Sequence, residues 1–223
     1  LGGTVSLGYN SDHKPTILTN ALGQVTRLAY DEMANLTNVT DALGNSAGFT
    51  YDQLQRTTKI RDALWNETTF SYDPESNLTV LSNALGHAYS YSYDLINRTK
   101  TFIYPDAAKE SYVYDTNGNL TALTNRSGQV ITAAYDTGNR LTTKTWEGAT
   151  NIVFSLGYDD ATRLLTVVRT TSGVVESAIT NSWDAANRLS QQLQGTLAIG
   201  YGYDVAGNVT NVSYSSGLNA AYS

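Results

Sequence analysis

Hydrophobic and polar positions along the chain repeat one motif. In the stretch 24–44, Gln24-Val-Thr-Arg-Leu-Ala-Tyr30 alternates, Asp31-Glu-Met-Ala-Asn35 offers turn-forming residues, Leu36-Thr-Asn-Val-Thr40 alternates again, and Asp41-Ala-Leu-Gly44 supplies a second turn. Period-2 alternation interrupted by Asx- and Gly-containing clusters predicts strand, turn, strand, turn, or one β-hairpin per motif. An aromatic residue ends the first strand of each motif, at Tyr9, Tyr30, Tyr51, Tyr72, Tyr93, Tyr114, Tyr135, Tyr158, Trp183 and Tyr203. The first seven of these beats lie 21 residues apart, and the later gaps are 23, 25 and 20. A near-fixed period means one supersecondary unit stacked on copies of itself. The expectation is an all-β fold, a single array over residues 1–223 of about ten stacked two-stranded hairpins in a long, twisted, spiralling sheet.

Reading the motif column by column assigns its faces. Two residues before the beat stand Leu28, Phe49, Phe70, Tyr91 and Tyr112, and strand geometry puts them on the face of the beat aromatic. The residue just before the beat is small or polar, as in Ala29, Thr50, Ser71 and Ser92. One face is therefore aromatic and in need of cover, so the strip is expected to curl on itself or pack on more of the same. On the return strand the apolar columns fall six and nine residues after the beat (Leu36 and Val39, Leu78 and Leu81, Leu120 and Leu123). An odd separation cannot stay on one face of a regular strand, which predicts a β-bulge or strong local twist there.

Nine of the beats are followed by an aspartate: Asp31, Asp52, Asp73, Asp94, Asp115, Asp136, Asp159, Asp184 and Asp204. A carboxylate at this place can accept from backbone N–H groups two residues on and start the turn. Gly or Asn four or five places after the aromatic (Gly118-Asn119, Gly207-Asn208, Asn139) can supply the left-handed conformation that closes it. The fifth place holds only Asn or Arg from the second beat onward, as in Asn35, Arg56, Asn77, Arg98 and Arg140. Such a column reads either as a binding stripe or as turn-end residues bonding nearby carbonyls and the Asp side chains; the second reading is preferred. Pairs of motifs would also make blades of a β-propeller, but that needs a 42-residue super-period and most columns repeat at 21.

Composition changes this picture little. Charged residues make up 15% of the chain and the net charge is −6, but nine of its fourteen Asp residues are the beat aspartates. No basic stripe is present, which disfavours nucleic acid and other polyanions as partners. The absence of cysteine excludes a disulfide or cysteine–metal framework, and no apolar run is long enough for a transmembrane helix.

A search for chemistry yields no catalytic, cofactor-binding or metal site. His13 and His87 lie far apart in the array and read as solvated turn residues. Asp115-Thr-Asn-Gly-Asn resembles the start of a calcium loop, but its Gly is fourth rather than sixth and the twelfth residue is Arg126 rather than Glu. No phosphate loop or nucleophile elbow occurs. Nine glycosylation sequons, among them Asn35-Leu-Thr and Asn208-Val-Thr, are mostly by-products of the turn exit.

Tyr114-Asp-Thr-Asn-Gly-Asn-Leu-Thr121 and Tyr135-Asp-Thr-Gly-Asn-Arg-Leu-Thr142, joined by turns such as Asn20-Ala-Leu-Gly23, resemble the YD repeats of the RHS superfamily over essentially the whole chain. Late repeats drift: Tyr158-Asp-Asp-Ala-Thr-Arg-Leu lacks Gly or Asn at its turn, and Trp183 replaces Tyr. The resemblance implies a hairpin strip spiralling into a hollow shell, which encloses a C-terminal toxin in bacterial members and serves adhesion in animal teneurins. The function expected from it is a non-enzymatic segment of a secreted or cell-surface bacterial shell that encloses a polypeptide cargo. The alternative is an adhesion array whose exposed aromatics stack on a neutral glycan. Leu1-Gly2 falls in register with Leu22-Gly23, and Ala221-Tyr222-Ser223 resembles Ala29-Tyr30-Asp31, so the chain is expected to be an excerpt whose partners include more repeats of the same parent.

Overall fold

The computed structural model describes residues 5–222, which form strands joined by short turns. The registers expected of Leu1-Gly2 and Ser223 lie outside the described residues. Contacts divide the chain into two compact units, Leu1–Ala108 and Lys109–Ser223.

In the first unit, strands β1 (Ser6–Tyr9), β2 (Pro15–Thr19), β3 (Val25–Tyr30), β4 (Leu36–Thr40), β5 (Ser46–Tyr51), β6 (Thr57–Arg61), β7 (Glu67–Tyr72), β8 (Leu78–Ser82), β9 (Ala88–Tyr93) and β10 (Thr99–Ile103) follow one another. Each pairs antiparallel with the next. A propeller would break this ladder after every fourth strand, and β4–β5 and β8–β9 are paired like the rest. The second unit repeats the meander through β11 (Lys109–Tyr114), β12 (Leu120–Thr124), β13 (Val130–Tyr135), β14 (Leu141–Trp146), β15 (Ile152–Tyr158), β16 (Leu164–Thr171), β17 (Val174–Trp183), β18 (Leu189–Gln194), β19 (Leu197–Tyr203), β20 (Val209–Tyr214) and β21 (Asn219–Ala221). Its strands also pair neighbour to neighbour.

The return strand carries the expected bulge in every hairpin. Tyr30 faces Leu36 and Ala29 faces Asn38, so Thr37 is the extra residue. Thr58, Thr79, Thr121 and Thr142 occupy the same place in their hairpins. Skipping one residue turns the odd Leu36–Val39 separation into an even one, and Val39 consequently faces Leu28 on the aromatic side. The bulge residue is the Thr of the Asn-Leu-Thr sequons, and its hydroxyl can return to the backbone: Thr121 and Thr142 donate to the carbonyls of Val113 (3.2 Å) and Ala134 (3.1 Å).

In the repeats up to Tyr135 both turns of the motif have one geometry. The Asp31 carbonyl accepts from Ala34 N–H, the Asp31 N–H donates to the Asn35 carbonyl, and Ala34 is left-handed (φ 65°). This is a type I turn followed by a left-handed residue, the usual three-residue hairpin loop. The left-handed place is the fourth after the aromatic and not the fifth. Gly118 (φ 91°) and Gly207 (φ 90°) fill it as expected, yet so do Gln55, Ser76 and Thr162. The 25-residue gap before Trp183 is absorbed by longer strands: β16 and β17 meet at Ser172-Gly173, both with positive φ (49° and 82°), a two-residue turn suited to strand twist.

The expected cover over the aromatic face is not part of the described structure. Beat residues and the positions two before them are half-buried in β3, β5, β7 and β9, while Ala29, Thr50, Ser71 and Ser92 on the other face are exposed. Among the described residues no hydrophobic side chain is fully buried, because a single-layer meander shields each side chain only by its neighbours in the sheet.

Candidate functional site

The beat residues do not converge on a pocket. They are distributed along the two units at the ends of successive hairpins, and the polar ends of seven of the tyrosines do the same thing. The Tyr51 hydroxyl donates to the Leu36 carbonyl of the preceding hairpin at 2.8 Å. Tyr30, Tyr72 and Tyr93 reach the carbonyls of Pro15 (3.0 Å), Thr57 (2.9 Å) and Leu78 (2.7 Å). In the second unit Tyr135, Tyr158 and Tyr203 reach those of Leu120, Leu141 and Leu189 at 3.1, 2.9 and 2.8 Å. The acceptor always belongs to the residue just before the bulge. It lies beyond the last rung of the ladder to the next hairpin, which for β4–β5 is Asn38–Gly48. A backbone carbonyl off the ladder needs a donor, and the phenol supplies one. Tyr9 is 57% exposed. Tyr114 occupies the same place at the head of its hairpin, facing Leu120.

Trp183 preserves this chemistry with another ring. Its indole N–H donates to the Leu164 carbonyl at 3.2 Å, and the Asn181 amide donates to the same oxygen at 3.1 Å. Asn181 takes a place that is aromatic in five of the ten repeats and, at 9% exposure, is the one buried residue among those described. Gln192 across the hairpin satisfies its carbonyl oxygen at 3.1 Å.

The aspartates sit at the turn starts. One carboxylate oxygen of Asp31 accepts from the N–H groups of Met33 (3.0 Å) and Asn35 (2.8 Å), and the other from the Asn35 side chain (3.0 Å). Asp115 does the same with Asn117 and Asn119, Asp204 bonds Asn208 in this way, and Asp73 bonds Asn77. Where the fifth place is Arg, the guanidinium Nε replaces the amide: Asp52–Arg56, Asp94–Arg98, Asp136–Arg140, Asp159–Arg163 and Asp184–Arg188, at 2.6 to 2.8 Å. These partners hold the carboxyls below the ordinary range. For Asp31, Asp73, Asp115 and Asp204 the main cause is the Asn side chain. For Asp136 and Asp184 it is the backbone N–H of the Arg. Partial burial pulls Asp52, Asp94 and Asp159 upward, and the bonds from their arginines outweigh it.

The Asn/Arg column also joins successive turns. Arg56 donates to the Asp73 carbonyl (2.9 Å) and the Ser76 hydroxyl (3.1 Å), with its guanidinium 4.7 Å from the Tyr72 ring centroid. Arg188 bonds the Asp204 carbonyl (2.9 Å) and lies over Tyr203, and Arg140 lies over Tyr158. Asn77 and Asn119 bridge to the Asn97 and Asn139 side chains, at 2.8 and 2.9 Å. The column is a set of turn clasps, and the guanidinium groups described here point along the strip and not to solvent partners. The stacking of Arg on the next Tyr was not visible in the spacing, because it depends on two turns lying side by side.

His13 takes a left-handed turn place (φ 59°), and the His87 N–H caps the Asn83 side chain at 3.0 Å. Among the described residues no group of three or more His, Cys, Asp or Glu side chains is placed to hold a metal ion. A dense patch on the aromatic face forms where Phe102 stacks against Tyr91 and Tyr89 (centroids 4.9 and 5.9 Å) and meets Tyr104 at 4.5 Å.

The family model described as teneurin YD-shell matches residues 2–222. No curated protein matches the chain. Among solved structures, TcdB2-TccC3-Cdc42 is similar at a TM-score of 0.50 and 14% identity, over 96% of this chain and 15% of that one. A Tc holotoxin pore of Photorhabdus luminescens gives 0.49 and 14%, over 95% of this chain and 15% of that one. The chain thus spans about 15% of the length of the structures it resembles. With one family model matching residues 2–222 of a chain built from a repeated hairpin, the chain belongs to the teneurin YD-shell family.

Proposed function

We propose that the chain is a non-enzymatic wall segment of an RHS/YD-repeat shell, an excerpt of a longer single array, that encloses a polypeptide cargo in a secreted or cell-surface bacterial protein. The observation that carries this reading is how the repeated polar groups are used. The beat phenols with described partners bond the preceding hairpin, and the beat carboxylates bond their own turns. Groups committed in this way build a wall and are not available for turnover. The second face, where Thr50, Ser71 and Ser92 lie, is polar, with small residues interspersed with Lys59, Arg61 and Glu67, and suits contact with varied contents. The test is limited proteolysis of the native parent product, followed by peptide mapping. A C-terminal polypeptide that survives protease until the shell is opened by denaturant supports enclosure; equal digestion of all segments refutes it.

A second reading, adhesion through a neutral glycan, is favoured by the half-exposed Tyr89–Tyr91–Phe102–Tyr104 patch, since aromatic faces stack on sugar rings. Micromolar binding to a neutral oligosaccharide that is lost in Tyr91→Ala would establish it.

A further inference from the structure

One turn of the first unit departs from its neighbours. The turns β2–β3, β4–β5 and β8–β9 put glycine in the left-handed place, at Gly23, Gly44 and Gly86. Between β6 and β7 that place holds Trp65, with φ 70°. A bulky L-residue is costly there, and closing the turn gains nothing from an indole. Packing does not require it either, since Trp65 is 73% exposed. The ring is nevertheless held in place. The Arg61 guanidinium lies over it, 4.3 Å from the ring centroid, and packs over Gly48 of the adjacent strand, where no side chain intervenes. A strained, braced and exposed ring points to a function in contact with something outside the fold.

Beside Trp65 a cleft of about 410 Å³ opens toward the β8–β9 turn, lined by Asn66, Glu67, Thr69, Ser82 and Asn83 among others. Several of these polar groups are not engaged by the fold. The Asn83 carbonyl oxygen accepts from the N–H groups of Leu85 and His87, but its amide nitrogen meets no acceptor among the described residues. In the β2–β3 turn the matching Asn20 amide donates to Gln24 at 2.7 Å. The Asn66 amide nitrogen donates to Asp62 at 2.9 Å, which leaves the Asn66 carbonyl oxygen without a donor among the described residues. Thr69 and Ser82 face each other in the β7–β8 ladder, and their hydroxyls bond no other described residue. Donors and acceptors therefore lie together beside an aromatic ring.

This lining selects one chemistry. A purely apolar ligand would bury the amides and hydroxyls without partners. An anion would meet Glu67 in the lining and Asp62 in the same turn, whereas a cation would meet Arg61 over the ring and Lys59, bonded to Glu67 at 2.9 Å. A neutral sugar ring brings a C–H face for the indole and hydroxyls that both donate and accept. We propose that Trp65 and this cleft form a binding site for a neutral saccharide. The indole is the platform, and Asn66, Thr69, Ser82 and Asn83 are the hydrogen-bonding wall. The site shares no residue with the Tyr89–Tyr91–Phe102–Tyr104 patch and does not depend on it.

Nuclear magnetic resonance of the isotopically labelled 223-residue chain tests this with cellohexaose, maltohexaose and chitohexaose, each added to about 10 mM. At least one of them is expected to shift the Trp65 indole N–H and the Asn83 amide signals, with Trp146 and Trp183 unmoved. Two variants keep the turns intact. Trp65→Gly installs the residue that the neighbouring turns use, and Asn83→Asp keeps the acceptor that Asp41 supplies in its own turn. Trp65→Gly should abolish the Asn83 shift, and Asn83→Asp should weaken binding at least about fivefold. Tyr91→Ala should leave the affinity unchanged. The proposal is overturned by a Trp65 signal that no saccharide moves, by binding that survives Trp65→Gly, or by binding lost in Tyr91→Ala. A shift produced by a proline-rich peptide and by none of the saccharides also overturns it, and makes the cleft a peptide groove.

Discussion

The indole nitrogen of Trp183 and the side-chain amide of Asn181 donate to one oxygen, the Leu164 carbonyl, at 3.2 and 3.1 Å. Elsewhere a single phenol serves the equivalent acceptor. Removing the donor should therefore matter less at Trp183 than at a standard beat. Tyr93→Phe is expected to cost about 1 kcal/mol, the net worth of one hydrogen bond whose acceptor loses its partner. Trp183→Phe should cost measurably less, and combining it with Asn181→Ala should exceed the sum of the single changes. Urea unfolding of the four proteins checks the order.

Truncating a beat ring removes packing as well as the hydroxyl. Tyr93 is half-buried and not enclosed, so Tyr93→Ala should cost about 2–3 kcal/mol, below the range for fully buried aromatics. A loss under about half a kilocalorie in denaturant melts would mean the ring contributes nothing to cohesion.

Left-handed turn places held by ordinary residues offer stabilising changes. Thr162 (φ 69°) is β-branched in a conformation that costs an L-residue roughly 1–2 kcal/mol. Glycine relieves this strain but gains freedom in the unfolded chain, an opposing effect of about 0.4–1 kcal/mol. Thr162→Gly should therefore stabilise by about 0.5–1 kcal/mol, and Gly118→Ala, starting from φ 91°, should destabilise. Thermal melts of the two variants should move in opposite directions.

Acid should loosen the array in a defined window. The beat aspartates and those of the second turns, Asp41 and Asp62, are held below their ordinary values in the folded state, chiefly by Asn side chains or Arg partners. A depressed native value stabilises above the unfolded value, about 3.9, and that stabilisation disappears as pH falls through the lower native values. Stability should be nearly flat from neutral pH to about 5 and fall steeply below about 4, read by circular dichroism. Replacing the Asp of a single turn, as in Asp31→Asn, should soften only a fraction of that fall.

Much of this was legible in the sequence, and what was not has a common physical cause. Alternation up to Tyr30 and the Asx clusters after it gave the hairpins, and the odd Leu36–Val39 separation called for a bulge or strong twist in the return strand, which the register places at Thr37. Those features depend on near neighbours in the chain. The Tyr51–Leu36 bond joins residues one hairpin apart, and the Arg56–Tyr72 stacking depends on how one turn lies on the next. The left-handed conformations of Ala34 and Gln55 escaped notice because the hairpin as a whole enforces them on residues that do not favour them. The rings of the aromatic face are shielded only halfway within this segment, because a one-layer sheet covers each ring with its neighbours alone.

The hydroxyl links have a mechanical consequence. Each spans only one junction, so within a unit a tension applied along the strip is passed from hairpin to hairpin with no bond to share it across several. Pulled apart, such a strip should yield in discrete steps, each releasing one 21-residue motif, or roughly 70 Å of chain. Damage at one junction is then confined to that junction, and the hairpins on either side keep their grip.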